Sequence, residues 1–148
     1  MKKFTFSLEN IKSYKESLLD NLKLEHAAIL AEIAAQKKLI ESMEMTERLV
    51  NSELNEKNSR GIAPHEHANY RRYLKVLEND IKLEYEKLYD LEKKEDDKRK
   101  EVVEMKKETS TLEKLEEKKL EEYNGLMLKD HELFIEEFVS NQKYVTRR

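Results

Sequence analysis

The residues with chemical potential are the four histidines and the abundant carboxylates. His65-Glu66-His67 invites a metal reading, but zinc ligands on a helix stand four apart, as in H-E-x-x-H, and these stand two apart. His26 and His131 have no second histidine nearby, and the chain has no cysteine, which excludes disulfides and thiolate metal sites. The 32 acidic residues recur every three or four positions, with lysines interleaved at the same spacing. Glu113, Glu116 and Glu117 with Lys114 and Lys118 therefore read as ion-pair partners on a wet helix face. Catalytic carboxylates need a pocket that perturbs their pKa. With two glycines in all, no glycine-rich loop exists to cradle phosphate. No catalytic, cofactor-binding or metal-ligating residue emerges, and the expectation is a protein that is not an enzyme.

The elements that carry these side chains follow from composition. Of 148 residues 41% are charged and 38% hydrophobic, and only two glycines and one proline are available for turns. Such a chain is either disordered or a long helix, and apolar periodicity decides between them. Charge is balanced, with 29 basic against 32 acidic residues and a net of −3, so no basic stripe points to nucleic acid. Lys2 and Lys3 precede Phe4-Thr5-Phe6-Ser7-Leu8-Glu9, which lacks the apolar core of a signal peptide. No apolar run approaches the ~18 residues of a membrane span. A cytoplasmic protein is expected, with no small-molecule substrate and no cofactor.

Ser7 is the best local helix start, with Phe6 and Ile11 as a hydrophobic staple. The first break is Arg60-Gly61-Ile62-Ala63-Pro64, where Gly61 suits a left-handed helix end and Pro64 the first turn of the next helix. Beyond it, positions 70, 74, 77, 81, 84, 88, 91, 95, 98, 102, 105, 109, 112, 116, 119, 123 and 126 alternate in steps of four and three. Eleven of these seventeen are apolar, the signature of a left-handed coiled coil. Helix 1 has a matching seam at Leu22, His26, Ile29, Ile33, Gln36, Ile40, Met43, Glu47, Val50 and Leu54. Upstream the apolar set shifts to Leu8, Ile11, Leu18 and Leu22, read as a four-residue stutter near 22–26.

The fold expected is all-α, a long two-helix antiparallel coiled-coil hairpin with a longer second helix. It forms one domain over residues 1–148, with helix 1 about 7–60, a turn at 61–64 and helix 2 about 65–144. A turn centred near 61–62 sets residue i opposite roughly 124 − i, bringing Glu25 and His26 near Lys98. Helix 1 then ends opposite residue ~116, and the rest of helix 2 overhangs. The overhang holds Leu120, Tyr123, Leu126, Met127, Leu128, Leu133, Phe134, Phe138, Val139 and Tyr144. A lone helix cannot bury such a stripe, which marks a partner surface or a segment that frays when free. Asn124-Gly125 reads either as a hinge or as a tolerated interior glycine. An acidic polar face (Glu121, Glu122, Asp130, Glu132, Glu136, Glu137) argues against an anionic membrane surface. Tyr73, Tyr85 and Tyr89 flank the seam, widening it with their rings or, near Arg71 and Arg72, forming a binding patch.

In their order along the chain these residues resemble the FliJ family, the small soluble components of the bacterial flagellar type III export apparatus. The resemblance rests on Phe4, Phe6 and Leu8 leading into helix 1, and on Tyr70-Arg71-Arg72-Tyr73-Leu74-Lys75-Val76-Leu77 with Ile81 opening helix 2. Leu112-Glu113-Lys114-Leu115, Glu122-Tyr123 and the acidic pair Glu136-Glu137 follow. Where the family commonly has basic residues before Leu112, this chain has Thr109-Ser110-Thr111.

The resemblance implies a central stalk of flagellar protein export. Its ends would enter the hexameric ring of the export ATPase FliI, and further partners would be the export-gate protein FlhA and the export chaperones. It implies a role in flagellum assembly, and through it in motility and chemotaxis, at the inner face of the cell membrane by way of partners alone. The residues carried over as ATPase-ring contacts are Phe4, Phe6, Leu120, Tyr123, Leu126, Met127, Leu133, Phe134 and Phe138. Tyr70, Arg72, Tyr73 and Leu77 are the export-gate candidates. The competing readings are the stalk of a virulence-type type III secretion system and a generic homo-oligomeric coiled-coil scaffold.

Overall fold

The computed structural model describes residues 2–146, and among them the chain forms two helices, α1 (Glu9–Arg60) and α2 (Pro64–Thr146), with no strand. The helices pack against each other as an antiparallel hairpin. At the break, Gly61 takes φ +95°, a conformation that suits a residue without Cβ. The amide of His67 donates to the Ala63 carbonyl at 3.0 Å, so Ala63 caps α2 and Pro64 holds its first position, where no amide proton is needed.

α1 begins two residues later than Ser7 suggested. The Glu9 amide donates to Phe6 O at 3.1 Å and the Lys12 amide to Leu8 O at 2.9 Å, which makes Leu8 the cap and leaves Ser7 in the preceding turn. The backbone carbonyls satisfy these donors, so no serine hydroxyl is required.

By packing, the chain divides into two units, Asn21–Val102 and the stretches flanking it. The Asn21–Val102 unit contains the turn. Its core is Ile33, Ile40, Leu54, Leu74, Ile81 and Val102, with Leu54 only 1% exposed. In the flanking unit the buried seam residues are Leu19 and Thr109. Thr109 donates its hydroxyl to the Lys106 carbonyl at 3.0 Å, so a buried polar side chain is satisfied within its own helix.

In α2 the expected register positions from Tyr70 to Tyr123 are partly or fully covered, apart from exposed Lys119. In and just before α1, positions 8, 12, 15, 19, 22, 26, 29, 33, 36, 40, 43, 47, 50 and 54 are all at least partly covered, an unbroken alternation of four and three. The expected stutter near 22–26 is therefore absent. Ile11 is 47% exposed, and Lys12 and Lys15 occupy the seam in its place.

Candidate partner-binding surfaces

Where the seam sequence turns polar, the polar groups meet across the helices. Lys12 donates to Glu116 Oε2 at 2.5 Å and Lys15 to Glu108 Oε2 at 3.1 Å. Glu116 is thus part of the helix–helix contact and not of a wet face. His26 Nε2 lies 3.0 Å from Glu95 Oε1, while Lys98 reaches Glu25 at 2.8 Å, as the register near 124 − i requires. Gln36 donates to the Glu84 carboxylate at 2.5 Å and to the Glu84 carbonyl at 2.9 Å.

These contacts move the titrations in the directions that charge predicts. The hydrogen bond from Gln36, then that from Lys87, holds Glu84 below the ordinary carboxylate range. The bond to Glu116 raises Lys12, and the bonds to Glu25 and then Glu101 raise Lys98. Each shift favours the charged form already present at neutral pH. Such groups fix register and stay charged; none is poised to exchange protons in a reaction.

The histidine pair at the turn lies beside the end of α1. His67 Nδ1 lies 3.1 Å from Asn58 Oδ1, and no cluster of three His, Cys, Asp or Glu side chains occurs among the described residues.

The four gate candidates near the turn divide into two kinds. Tyr70 and Leu77 belong to the seam. The Tyr70 hydroxyl donates to Glu53 Oε1 at 3.1 Å, and Lys57 Nζ sits 5.0 Å from its ring centroid. Arg72 and Tyr73 face solvent, and Tyr73 lines a shallow open groove with Val50, Glu66, Asn69 and Tyr70. Tyr85 hydrogen-bonds Glu44 across the hairpin, whereas Tyr89 is exposed and carries Lys93 of its own helix 4.6 Å from its ring centroid.

The ring candidates are divided too. Phe4 and Tyr123 face each other, with ring centroids 5.6 Å apart at a 51° tilt, and Tyr123 Oη donates to the Lys2 carbonyl at 2.5 Å. Phe6 and Met127 are half-buried. Pairing therefore reaches Tyr123, seven residues beyond the position expected for the end of helix 1. Leu126, Leu133, Phe134 and Phe138 are open to solvent, as are Leu128, Val139 and Tyr144. Ile135 and Val145, which were not among the expected overhang residues, join them. These nine residues are 43–72% exposed.

α2 continues without interruption through Gly125, where an added Cβ would meet nothing within 4 Å, so Gly125 is a tolerated interior glycine here. At about 100° per residue the apolar side chains beyond it fall on three lines. Met127, Phe134, Phe138 and Val145 continue the line of Leu120 and Tyr123. Leu126, Leu133 and Tyr144 lie to one side, and Leu128, Ile135 and Val139 to the other. Together they span about two thirds of the helix circumference, interrupted by Asp130, His131 and Glu137. Opposite them runs a strip of Glu122, Lys129, Glu132, Glu136 and Ser140.

The architecture and surfaces define a class: an antiparallel two-helix coiled coil with an exposed apolar helix end. Among the described residues no helix is long and apolar enough to cross a membrane. The family described as Flagellar FliJ protein matches residues 4–146, nearly the whole chain, and the chain belongs to that family. It is accordingly a component of flagellar export, a family role without enzymatic activity. No curated protein and no solved structure matches it.

Proposed function

We propose that the chain is the central stalk and coupling factor of the flagellar export ATPase, with the α2 segment after Gly125 seated inside the FliI ring. The observation that carries this reading is the exposed apolar arc of residues 126–145. A helix that pairs with one other helix needs an apolar stripe roughly 100° wide. An arc more than twice as wide suits a helix contacted from several sides, as a ring of subunits contacts an axle. Arg72 and Tyr73, exposed beside the turn, are the residues offered to the export gate FlhA, and export chaperones are further partners of the exposed surfaces. Association with the membrane then follows from these partners.

The test is the ATPase rate of the cognate FliI with and without this chain. Wild type should stimulate it, and Leu133→Glu/Phe134→Glu should not, while both keep the same helicity because these side chains touch solvent in the free chain. Equal stimulation by the double variant would sink the stalk reading. Concentration-dependent self-association of wild type, abolished by the same variant, would favour a homo-oligomeric scaffold.

A further inference from the structure

The exposed arc is covered at its near end by the chain's own N-terminus. Residues 2–6 have no regular structure and run beside α2, where the Phe4 ring rests on Tyr123 and the Lys2 carbonyl accepts the Tyr123 hydroxyl. Tyr123 lies on the same helix line as Leu120, Met127, Phe134 and Phe138, so the covered face continues the face left open beyond Gly125. A partner that encloses α2 and advances toward the turn meets Phe4 first.

We propose that residues 2–6 form a displaceable strap over Tyr123, an autoinhibitory contact that an enclosing partner must lift to seat fully; this rests on the stalk reading above. The strap is suited to lifting. One aromatic pair, one hydrogen bond and the half-buried Phe6 side chain hold it, against the long seam of apolar side chains and cross-helix ion pairs that holds α1. Tyr123 is amphipathic, so once uncovered it can present its ring to an apolar socket and its hydroxyl to a new acceptor. The strap then sets how much of α2 is available, and Phe4 opposes binding in the free chain instead of promoting it.

The chain has no cysteine, so nitroxides placed by Lys2→Cys and Glu122→Cys report the strap in the full-length protein by their dipolar coupling. Strong coupling is expected in the free chain, lost when the FliI ring is added. Phe4→Ala should weaken the coupling in the free chain and tighten binding to the ring about 2- to 10-fold, the worth of one aromatic pair. A ring that binds wild type while the coupling persists would overturn the strap and leave the stalk reading intact. Weaker or unchanged binding by Phe4→Ala would overturn it as well. A wild-type chain that fails to bind the ring would remove both.

Discussion

The stretch of α2 that faces α1 and the stretch beyond Gly125 belong to one helix and both carry large apolar residues, yet they use them in opposite ways. From Tyr70 to Tyr123 the apolar side chains that keep a 3.5-residue period are covered by α1, as with Leu74, Ile81 and Val102, while off-period ones such as Val76, Leu83 and Val103 stay exposed. From Leu126 to Val145 they spread around the helix and stay open. A strict seam answers to one neighbour, whereas a broad arc answers to none within the chain. Period, more than hydrophobicity, separates the residues that fold the protein from those left for others.

This contrast is sharpest for a truncation series in its two halves. Leu54→Ala, in the covered seam, should cost about 2–5 kcal/mol of stability, because Leu54 is enclosed and its removal leaves a cavity. Leu133→Ala, in the open arc, should stay within about 0.5 kcal/mol. Thermal unfolding followed by far-ultraviolet circular dichroism distinguishes them; equal losses would mean that the arc is covered in the free chain.

The two glycines offer a second contrast of opposite sign. Gly61→Ala should destabilise by about 1–2 kcal/mol, since φ +95° places an L side chain in the left-handed region. Gly125→Ala should stabilise by up to about 1 kcal/mol, since its helical site has open space for a methyl group. A Gly125→Ala variant that is less stable would show that the backbone needs freedom there.

The smallest effect concerns acid. With its folded-state pKa held low by Gln36 and then Lys87, Glu84 contributes stability in full above the ordinary carboxylate range, and that contribution is lost as pH falls through the lowered value. Glu84→Gln should therefore lose less stability than wild type between about pH 5 and pH 3 in urea titrations. Parallel acid limbs would assign the pH dependence to other carboxylates.

How far these regions were legible in the sequence depended on whether a residue's reason lay in its own helix. The α2 register and the Gly61/Pro64 turn could be read directly, because leucine spacing and turn chemistry are local. The α1 register upstream of Leu22 could not. Ile11 looked like the seam residue, but Lys12 and Lys15 hold those positions because Glu116 and Glu108 await them on the other helix. An apolar pattern is blind to a seam made of cross-helix ion pairs.

The reach of the N-terminus was underestimated for a geometric reason. An extended residue covers about 3.3 Å where a helical one rises 1.5 Å. The few residues before α1 thus extend the covered zone to Tyr123. The solvent-facing character of Arg72 and Tyr73, against the packed character of Tyr70 and Leu77, required the fold.

The tight connection at Gly61 also shapes how the molecule comes to be paired at all. Contacts beside it, such as Lys57 with Glu66 and Tyr70 with Glu53, are only 9 and 17 residues apart in sequence and close short loops. Each pair formed shortens the loop left for the next, so closing Phe4 onto Tyr123 does not demand one long random search. Because both strands of the zipper are one molecule, dilution cannot separate them. The pairing of α1 with α2 is therefore independent of how concentrated the protein is.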